Sequence, residues 1–401
     1  MDLADSPAEA AYRRLARGWL DSNARHAPAD RVVVLVADTA PFRAWQCRLY
    51  EAGFVGITWP AAYGGQGLGQ AELAVFASEL ARAGVPGPFD MVGTSAIGPT
   101  IIAHGTEAQR VRYLPKILRA EEFWCQLFSE PSAGSDLAAV RTTAKHRGGG
   151  WEITGRKMWT THGHQADLGL LLARTDPDVP KHEGLTVFIV PMSAHGVIIQ
   201  PLRLMSGHRD FNEITLDHVE LSEDAVLGEV GGGWPVALTM LAQERFHLVA
   251  GLDQMGLDIG SLAASVARSA VGGGPVMEHN AAAIIADLHA LRFSSYRALS
   301  LITRGRQPDA GAALSKITAV DAVTRACRFM IEALGAEALD GQWGELLAQM
   351  PGLQVGGGTR EMLLSAVGER VLGLPRETRA DKDVPFRELE LADSGRPGAQ
   401  R

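Results

Sequence analysis

The sequence has few cysteines and no excess of positive charge. Only three cysteines occur among 401 residues, Cys47, Cys125 and Cys327. An odd number of widely spaced cysteines argues against a disulfide framework and against a CxxC metal or redox site. The formal net charge is -8, with 38 Lys and Arg against 46 Asp and Glu. Proteins that bind by neutralising phosphates, nucleic-acid-binding proteins above all, are therefore disfavoured.

Long apolar runs and targeting segments are also missing. The longest apolar run in the first hundred residues is 32–37, far shorter than the roughly 20 residues that a membrane helix needs. Residues 1–10 carry acidic rather than basic side chains, so we expect neither a secretory signal nor a transit peptide. The sequence therefore predicts a cytoplasmic protein without a membrane span.

Familiar nucleotide and metal motifs are absent as well. The glycines of residues 64–69 do not have the GxGxxG spacing that follows a strand in Rossmann proteins, and no P-loop lysine occurs. His162 and His164 form an HxH pair, but no Cys, Asp or third His stands at ligand spacing. We favour a loop over a zinc site here and predict no metal.

Helical patterns dominate the first 120 residues. Apolar residues recur at steps of three and four from Leu73 to Leu80, which predicts an amphipathic helix with Glu72 and Glu79 on its solvent side. The β-branched run at 31–40 fits a strand, a buried helical segment or an irregular connection. We leave that segment unassigned.

The middle third changes to a β pattern. Five short β-type runs are separated by Gly, Pro and Asp clusters and predict an antiparallel β unit. The runs are 151–161, 168–175, 185–192, 197–202 and 214–221. After the glycines at 231–233 the helical periodicity returns, with Pro235 in a first turn, and it ends near Val371. The predicted order is helices, sheet, helices.

Two segments of this middle third carry a chemical pattern. Residues 129–136 have the sequence SEPSAGSD, in which small residues let a backbone approach a polar ligand closely. Residues 155–161 have the sequence GRKMWTT, an alternating strand with an aromatic ring and a hydroxyl on one face. Together they resemble the two β-domain signatures of the acyl-CoA dehydrogenase family, T/S-E-P-x-A-G-S-D and K-x-W-I/S-T.

The resemblance extends over nearly the whole chain. Further matching segments are WP at 59–60, YGG at 63–65, YLP at 113–115, the segment 212–219, GGT at 357–359 and ERVLGLP at 369–375. The resemblance implies an α+β fold with FAD between the sheet and the bundle. Its parts are an N-terminal helical domain (1–121), a central antiparallel β domain (122–229) and a C-terminal four-helix bundle (230–380), before a tail (381–401) that we predict to be disordered.

The resemblance also implies FAD contacts, residue by residue. In the β domain they are Gln126, Phe128 and Ser129 at the flavin pyrimidine edge, Ser135 where the cofactor and the CoA chain meet, and Trp159 and Thr161 at the flavin ring. For each of these residues a position in the β-domain core or in a turn is the alternative.

The activity that the resemblance implies is oxidation of an acyl-CoA thioester to a trans-2-enoyl-CoA. That reaction needs a base for the α proton while a hydride leaves the β carbon for flavin N5. Many relatives carry the base in an E-G-T loop, but here the loop is Gly357-Gly358-Thr359, and Gly357 has no side chain. The isovaleryl-CoA and long-chain relatives carry it in an E-R pair on the first long helix of the bundle, which here is Glu244-Arg245.

Glu244 is therefore the predicted base. It stands four residues after Met240 and four before Leu248, which places it on an apolar stripe. Desolvation there would raise its pKa, and Arg245 would oppose that rise. A structural ion pair between Glu244 and Arg245 is the alternative. Ser135 and Arg245 are also the predicted substrate-binding residues.

The glycine loop has a different predicted role. In the family a backbone N–H of this loop and a ribityl hydroxyl of FAD polarise the thioester oxygen, so the resemblance assigns that N–H to Gly357. Thr359 would cap the final helix, with Glu361 in its first turn. Gly358, Thr359 and Glu361 are the predicted cofactor contacts here.

Two family patterns that reach the FAD of a neighbouring subunit are eroded. The R-x-x-F-G stretch is RSAVG at 268–272, and the Q-x-x-G-G-x-G stretch begins EALGAE at 332–337. We therefore expect either a homo-oligomer or a heterotetramer with a related subunit. An electron-transfer flavoprotein is the expected electron acceptor. An acyl-CoA oxidase or flavin monooxygenase of the same fold and a non-enzymatic partner subunit remain alternatives, and the sequence does not specify the acyl group.

Overall fold

The computed structural model describes residues 5–28, 39–250, 259–302, 311–378 and 381–389. For some helical residues within these ranges, only the main chain is described. Those residues are 244–250, 295, 296, 298–300, 302, 311 and 312. Most of the unassigned segment 31–40 lies outside the described residues, and a helix begins at Ala40.

Helices precede and follow a sheet, so the predicted order and the α+β class are confirmed. The α-helices of the described residues are α1 (Pro7–Asn23), α2 (Ala40–Glu51), α3 (Gln70–Ala83), α4 (Gly98–His104), α5 (Glu107–Leu118), α6 (Gly233–Ala250), α7 (Ile259–Ala270), α8 (Pro275–Ile302), α9 (Gly311–Leu334), α10 (Gln342–Val355) and α11 (Arg360–Arg370). Among them, none combines the length and hydrophobicity that crossing a membrane requires.

The β-strands include the five predicted runs and three shorter strands. They are β1 (Trp124–Leu127), β2 (Thr143–Arg147), β3 (Gly150–Thr161), β4 (Leu168–Arg174), β5 (Leu185–Pro191), β6 (Val197–Leu202), β7 (Phe211–Ser222) and β8 (Val226–Leu227). Their order is β6-β7-β3-β2-β4-β5-β8, with β1 added on β4. The pairs are antiparallel except β1–β4 and the single β2–β4 pairing, which are parallel. The sheet is therefore mixed in strand direction, whereas the sequence predicts an antiparallel unit.

The chain divides into two compact units. The helical unit comprises residues 1–89, 205–208 and 244–375, and the sheet unit comprises residues 90–204, 209–243 and 376–401. This division differs from the domain borders expected at 121 and 229, because α4 and α5 group with the sheet. Those borders stay predictions.

Each unit has its own apolar core. In the sheet unit, β4 and β5 are buried along nearly their whole length, as their continuous Leu and Val runs require. In the helical unit, buried residues of α7, α8, α9 and α10 form one cluster around Val266, Leu288 and Ala326. These cores fix the positions of the strand ends and turns that carry the candidate site.

Helix α3 corrects one expectation. Glu79, which we expected on the solvent side, has a side chain only 1% exposed and pairs with Arg13, Arg17 and Arg82. The hydrogen bond from Arg17 is the largest of the effects that lower the pKa of Glu79 to about 2. A carboxylate surrounded by guanidinium groups is stable in a buried position, so the prediction for Glu79 was wrong.

Residues 381–389 differ from the predicted disordered tail. Phe386 is buried in the sheet unit, with the guanidinium of Arg174 3.6 Å from its ring centroid. Lys181 binds both Asp136, at 2.6 Å, and Asp381, at 2.5 Å. A buried aromatic ring and a shared ammonium order this segment in spite of its polar composition. Residues 390–401 lie outside the described residues.

Candidate active site

The predicted site residues fall into two groups, one in each unit. The sheet unit contains Gln126, Phe128, Ser129, Ser135, Trp159 and Thr161, and the helical unit contains Glu244, Arg245, Gly357, Gly358, Thr359 and Glu361.

In the sheet unit, the SEPSAGSD segment is fixed against strand β3. The main-chain N–H of Met158 donates to the carbonyl of Ser129 at 2.9 Å. The ammonium of Lys157 donates to the carbonyl of Phe128 at 2.9 Å and to Glu130 Oε1 at 2.8 Å. The structure therefore brings Ser129 beside the KMW segment.

Lys157 and Glu130 form a buried ion pair. Their side chains are 0% and 5% exposed, and Glu130 also accepts hydrogen bonds from the main-chain N–H groups of Arg141 and Thr142. Burial lowers the pKa of Lys157 to about 8, although the Glu130 carboxylate opposes the fall. Burial alone would raise the pKa of Glu130, but Lys157 and the hydrogen bonds outweigh it and hold that pKa below its ordinary value. Each group therefore stabilises the charged form of the other in this buried position.

Trp159 projects from an irregularity in β3. The register between β3 and β7 shifts between Lys157 and Thr160, and Trp159 has a φ of +63°. An L-residue in this left-handed region is strained by about 1–2 kcal/mol. Its side chain is 55% exposed, and its ring meets Phe211 edge-on at 6.0 Å. Strained, exposed aromatic residues of this kind are typical of ligand contacts.

Three polar side chains among the predicted site residues of the sheet unit have unused hydrogen-bonding capacity. Gln126, Ser129 and Thr161 are half-buried, and none of their side chains makes a hydrogen bond within the described residues. An exposed aromatic surface with free amide and hydroxyl groups fits a planar ring that has polar edges, as the isoalloxazine of FAD has. The sheet unit therefore passes this test for the cofactor.

Phe128 and Ser135 fit this pattern less directly. The Phe128 ring is 2% exposed and lies in the core, and its carbonyl is occupied by Lys157. Ser135 is exposed, next to Asp136, which Lys181 fixes. A cofactor contact through the ring of Phe128 is not supported by this burial.

In the helical unit, the predicted loop is a tight turn between α10 and α11. Gly357 and Gly358 have φ values of +67° and +99°, which favour glycine. Thr359 caps α11, as the sequence predicts, because its hydroxyl accepts a hydrogen bond from the N–H of Met362 at 3.3 Å. Hydrogen bonds from its own main-chain N–H and from Thr359 hold the pKa of Glu361 below its ordinary value.

The turn presents free main-chain donors. Within the described part of the chain, the N–H groups of Gly357 and Gly358 donate to no protein acceptor. Unpaired N–H groups beside a helix N-terminus are suited to a partly negative oxygen. The turn therefore offers the donor that an oxyanion site needs.

Glu244 and Arg245 lie in α6. Their side chains are outside the described residues, so the predicted base and the alternative ion pair both stay predictions. His162 lies in the turn after β3, and its main-chain N–H donates to the carbonyl of Asp210 at 2.7 Å. Burial lowers the pKa of His162 to about 4. Among the described residues, no group of three or more His, Cys, Asp or Glu side chains is placed to hold a metal ion, and the expected absence of a metal stays a prediction.

Family models match the chain in three successive parts. They are the acyl-CoA dehydrogenase N-terminal domain at residues 6–121, the middle domain at 125–219 and the C-terminal domain at 231–372. The chain belongs to the acyl-CoA dehydrogenase family. The predicted family, enzyme class and FAD dependence are confirmed, since the family and its structural neighbours are flavin oxidoreductases that bind FAD.

Curated relatives and a solved structure agree with this acyl-CoA dehydrogenase assignment. The chain is 36% identical to acyl-CoA dehydrogenase FadE34 of Mycobacterium tuberculosis, over 86% of its own length and 48% of that relative. The chain thus spans about half the length of this relative. It is 33% identical to acyl-CoA dehydrogenase IpdE1 of the same organism, over 92% of its own length and 98% of the relative.

One structural neighbour is a steroid acyl-CoA dehydrogenase, Tcur3481-Tcur3483. It superposes with a TM-score of 0.82 at 30% identity, over 94% of this chain and 100% of that chain. This neighbour is a heteromeric complex.

Two anchoring lysines were absent from the predicted site. Lys157 and Glu130 lie inside the two signature segments, so the opposite charges of these residues could have indicated an ion pair between the segments. Lys316 binds carbonyl oxygens of the 354–358 segment, and no local pattern links it to that turn.

Proposed function

We propose that this acyl-CoA dehydrogenase converts an acyl-CoA thioester into the trans-2-enoyl-CoA. The observation that carries the proposal is the Gly357-Gly358-Thr359 turn, which has free N–H donors but no carboxylate at the position where many relatives carry their base. The turn is equipped to stabilise negative charge and not to remove a proton. A base must therefore come from elsewhere in the chain.

Glu244 is the base in this proposal. It occupies the E-R position on α6 that the isovaleryl-CoA and long-chain relatives use. Its carboxylate takes the proton from the α carbon and becomes the neutral acid. Arg245, next to it, keeps the carboxylate ionised before the reaction and contacts the substrate.

Gly357 stabilises the charge that the proton leaves behind. Removal of the α proton moves negative charge onto the thioester oxygen, and a main-chain N–H aimed at that oxygen stabilises it without reorganisation. Gly358, Thr359 and Glu361 then lie beside the cofactor. Removing one such donor typically slows a reaction by about 10²–10³-fold.

The sheet unit supplies the remaining FAD contacts in this proposal. Trp159, Thr161, Ser129 and Gln126 hold the ring system, and Ser135 lies where the cofactor and the CoA chain meet. Phe128 contributes through its main chain, because its ring is buried. When bound, FAD supplies the acceptor for the hydride that leaves the β carbon as the α proton goes to Glu244.

The proposed substrate is a CoA thioester of a steroid or of a comparable polycyclic acid. This class is supported by the 30% identity to a steroid acyl-CoA dehydrogenase over the whole of that chain. An electron-transfer flavoprotein is the proposed electron acceptor.

A heteromeric assembly with a related subunit is the second part of the proposal. The eroded stretch 268–272 places Val271, whose side chain is 82% exposed, where the family has a phenylalanine. The steroid neighbour is itself heteromeric. Expression of the chain alone and together with a related subunit, followed by gel filtration and measurement of bound flavin, tests this part. A fully flavin-loaded homo-oligomer would contradict it.

The base assignment is tested with Glu244→Gln. We expect this variant to keep its flavin but to bleach anaerobically, on addition of an acyl-CoA that reduces the wild type, about 10²–10⁴-fold more slowly. Glu278→Gln, at an exposed position of α8, is the matched control and should bleach at the normal rate. Normal bleaching by Glu244→Gln would show that another group removes the proton.

A further inference from the structure

The ammonium of Lys316 is bound by main-chain carbonyl groups of the glycine turn. Lys316 lies on α9 and is 8% exposed. It donates to the carbonyls of Gln354 at 3.3 Å and Gly356 at 2.6 Å, and also to that of Gly358. One side chain therefore bonds to both ends of the turn that joins α10 to α11.

These bonds determine where the N–H of Gly357 points. The carbonyl of Gly356 and the N–H of Gly357 belong to one peptide group, and the described chain has no cis peptide bond. In a planar trans peptide the C=O and the N–H point in opposite directions. Because the Gly356 carbonyl is directed at Lys316, the Gly357 N–H is directed away from Lys316, where it has no protein acceptor in the described residues.

The bond to the Gly358 carbonyl does the same for the N–H of Thr359. The Gly358 carbonyl shares its peptide group with the N–H of Thr359, so this N–H also points away from the ammonium. With φ values of +67° and +99°, the two glycines have few steric limits of their own. Without the ammonium, the peptide groups of the turn could rotate, and the carbonyls at the end of α10 would lose their partner.

We propose that Lys316 is a positioning residue of the oxyanion site, which aims the Gly357 N–H by holding the opposite ends of the turn peptides. The inference rests on the proposed role of Gly357 in binding the thioester oxygen. Lys316 itself does not touch the substrate in this mechanism. Its contribution is the fixed direction of a main-chain donor.

The first test measures the turn itself in the holoenzyme. Hydrogen–deuterium exchange of peptides covering 354–363 should be at least tenfold faster in Lys316→Met than in the wild type. Arg360→Met is the matched control, since it removes the 2.6 Å ion pair between Arg360 and Asp321, which also joins α11 to α9 but leaves the turn carbonyls bonded. Unchanged exchange in Lys316→Met would overturn the inference.

The second test measures polarisation of the thioester carbonyl. The acyl-CoA that bleaches the wild-type flavin fastest is identified first. The probe is the enoyl-CoA product of that acyl-CoA, labelled with ¹³C at carbon 1. It is bound to the holoenzyme and observed by isotope-edited infrared spectroscopy. We expect the bound carbonyl stretch to fall in frequency in the wild type, to lose at least half of that fall in Lys316→Met and to keep it in Arg360→Met. Flavin reduction should slow about 10-fold or more in Lys316→Met, with a smaller change in substrate affinity.

The two tests separate the inference from the proposed function. If no acyl-CoA bleaches the wild type, or its bound carbonyl stretch does not fall, the proposed function of Gly357 fails, and deuterium exchange alone decides whether Lys316 holds the turn. If the wild-type fall is present and Lys316→Met keeps all of it, the inference fails and the proposed function stands. If Lys316→Met does not fold, Lys316→Gln replaces it, because glutamine keeps an amide donor. We expect Lys316→Gln to give an exchange rate and a carbonyl shift between those of the wild type and those expected for Lys316→Met. Wild-type values in Lys316→Gln would contradict the inference.

Discussion

Two buried lysines anchor one segment of the candidate site in each unit, the segment around Ser129 and the glycine turn, and they do so by different means. Lys157 in the sheet unit pairs with the carboxylate of Glu130 at 2.8 Å. Lys316 in the helical unit binds main-chain carbonyl oxygens, among them that of Gly356 at 2.6 Å and that of Gly358. The first lysine depends on an opposite charge that can be removed by one substitution. The second depends on the torsion angles of a glycine turn.

The difference predicts which perturbation each group of residues will resist. A buried ion pair is sensitive to the loss of either charge, because the remaining charge is left without a partner in surroundings of low dielectric constant. A turn that is fixed by its carbonyls is sensitive to any side chain that changes its φ angles. Charge substitutions should therefore damage the sheet unit most, and added Cβ atoms should damage the turn.

The largest effect is expected for Lys157→Met. This change leaves Glu130 charged and buried, and breaking a buried pair in this way typically destabilises a protein by about 3–5 kcal/mol. The carbonyl of Phe128 also loses its donor, so the segment that contains Ser129 should loosen. Urea unfolding should show the loss, and the flavin content of the purified variant should fall.

Two further variants complete that comparison. Lys145→Met, at an exposed position of the neighbouring strand β2, should change the free energy of unfolding by less than about 0.5 kcal/mol. The double variant Lys157→Met with Glu130→Gln should be more stable than Lys157→Met alone, because no unpaired charge remains. A single variant as stable as the wild type would show that the ion pair does not hold the segment.

A smaller effect is expected from acid, again in the sheet unit. Burial lowers the pKa of His162 to about 4, from 6.5 in the unfolded chain. Between these values the unfolded chain takes up a proton that the native chain does not, so the free energy of unfolding falls as the pH falls from 6.5 to 4. This one group should remove about 3 kcal/mol over that range.

His162→Asn tests this assignment by urea unfolding at several pH values. Asparagine tolerates the left-handed φ of +52° at this position. The variant should show a shallower loss of stability below pH 6.5 than the wild type. Equal slopes in His162→Asn and the wild type would mean that other groups cause the acid dependence.

Much of the sheet unit could be predicted because its chemistry lies in contiguous segments. Short β-type runs between Gly, Pro and Asp clusters located the five longer strands, and the two signatures located Ser129 and Trp159. The short strands β1, β2 and β8 were missed, since a run of two to five residues carries too little periodicity. The positive φ of Trp159 could not be predicted either, because it accompanies a register shift between β3 and β7 and does not follow from a local preference.

The anchors of the turn could not be predicted for a related reason. Lys316 precedes Gly356 by 40 residues, and a lysine on a helix is by default a solvated residue. Glu79 shows the same limit, since its arginine partners include two that are 62 and 66 residues away. Helical periodicity indicates which face is apolar, but it does not reveal a buried charge whose partners come from another helix.

The smallest effect is expected for Gly358→Ala, which tests the conformational side of the comparison. At a φ of +99° an alanine is strained, and its Cβ would lie 3.4 Å from Cδ2 of the buried Leu363. We expect a loss of about 1–2 kcal/mol in the free energy of unfolding. Gly352→Ala in α10 is the control with the opposite sign, because its Cβ would meet nothing within 4 Å and alanine favours helix by up to about 1 kcal/mol. If both variants were equally stable, the turn would not depend on glycine torsions, and Lys316 alone would account for its geometry.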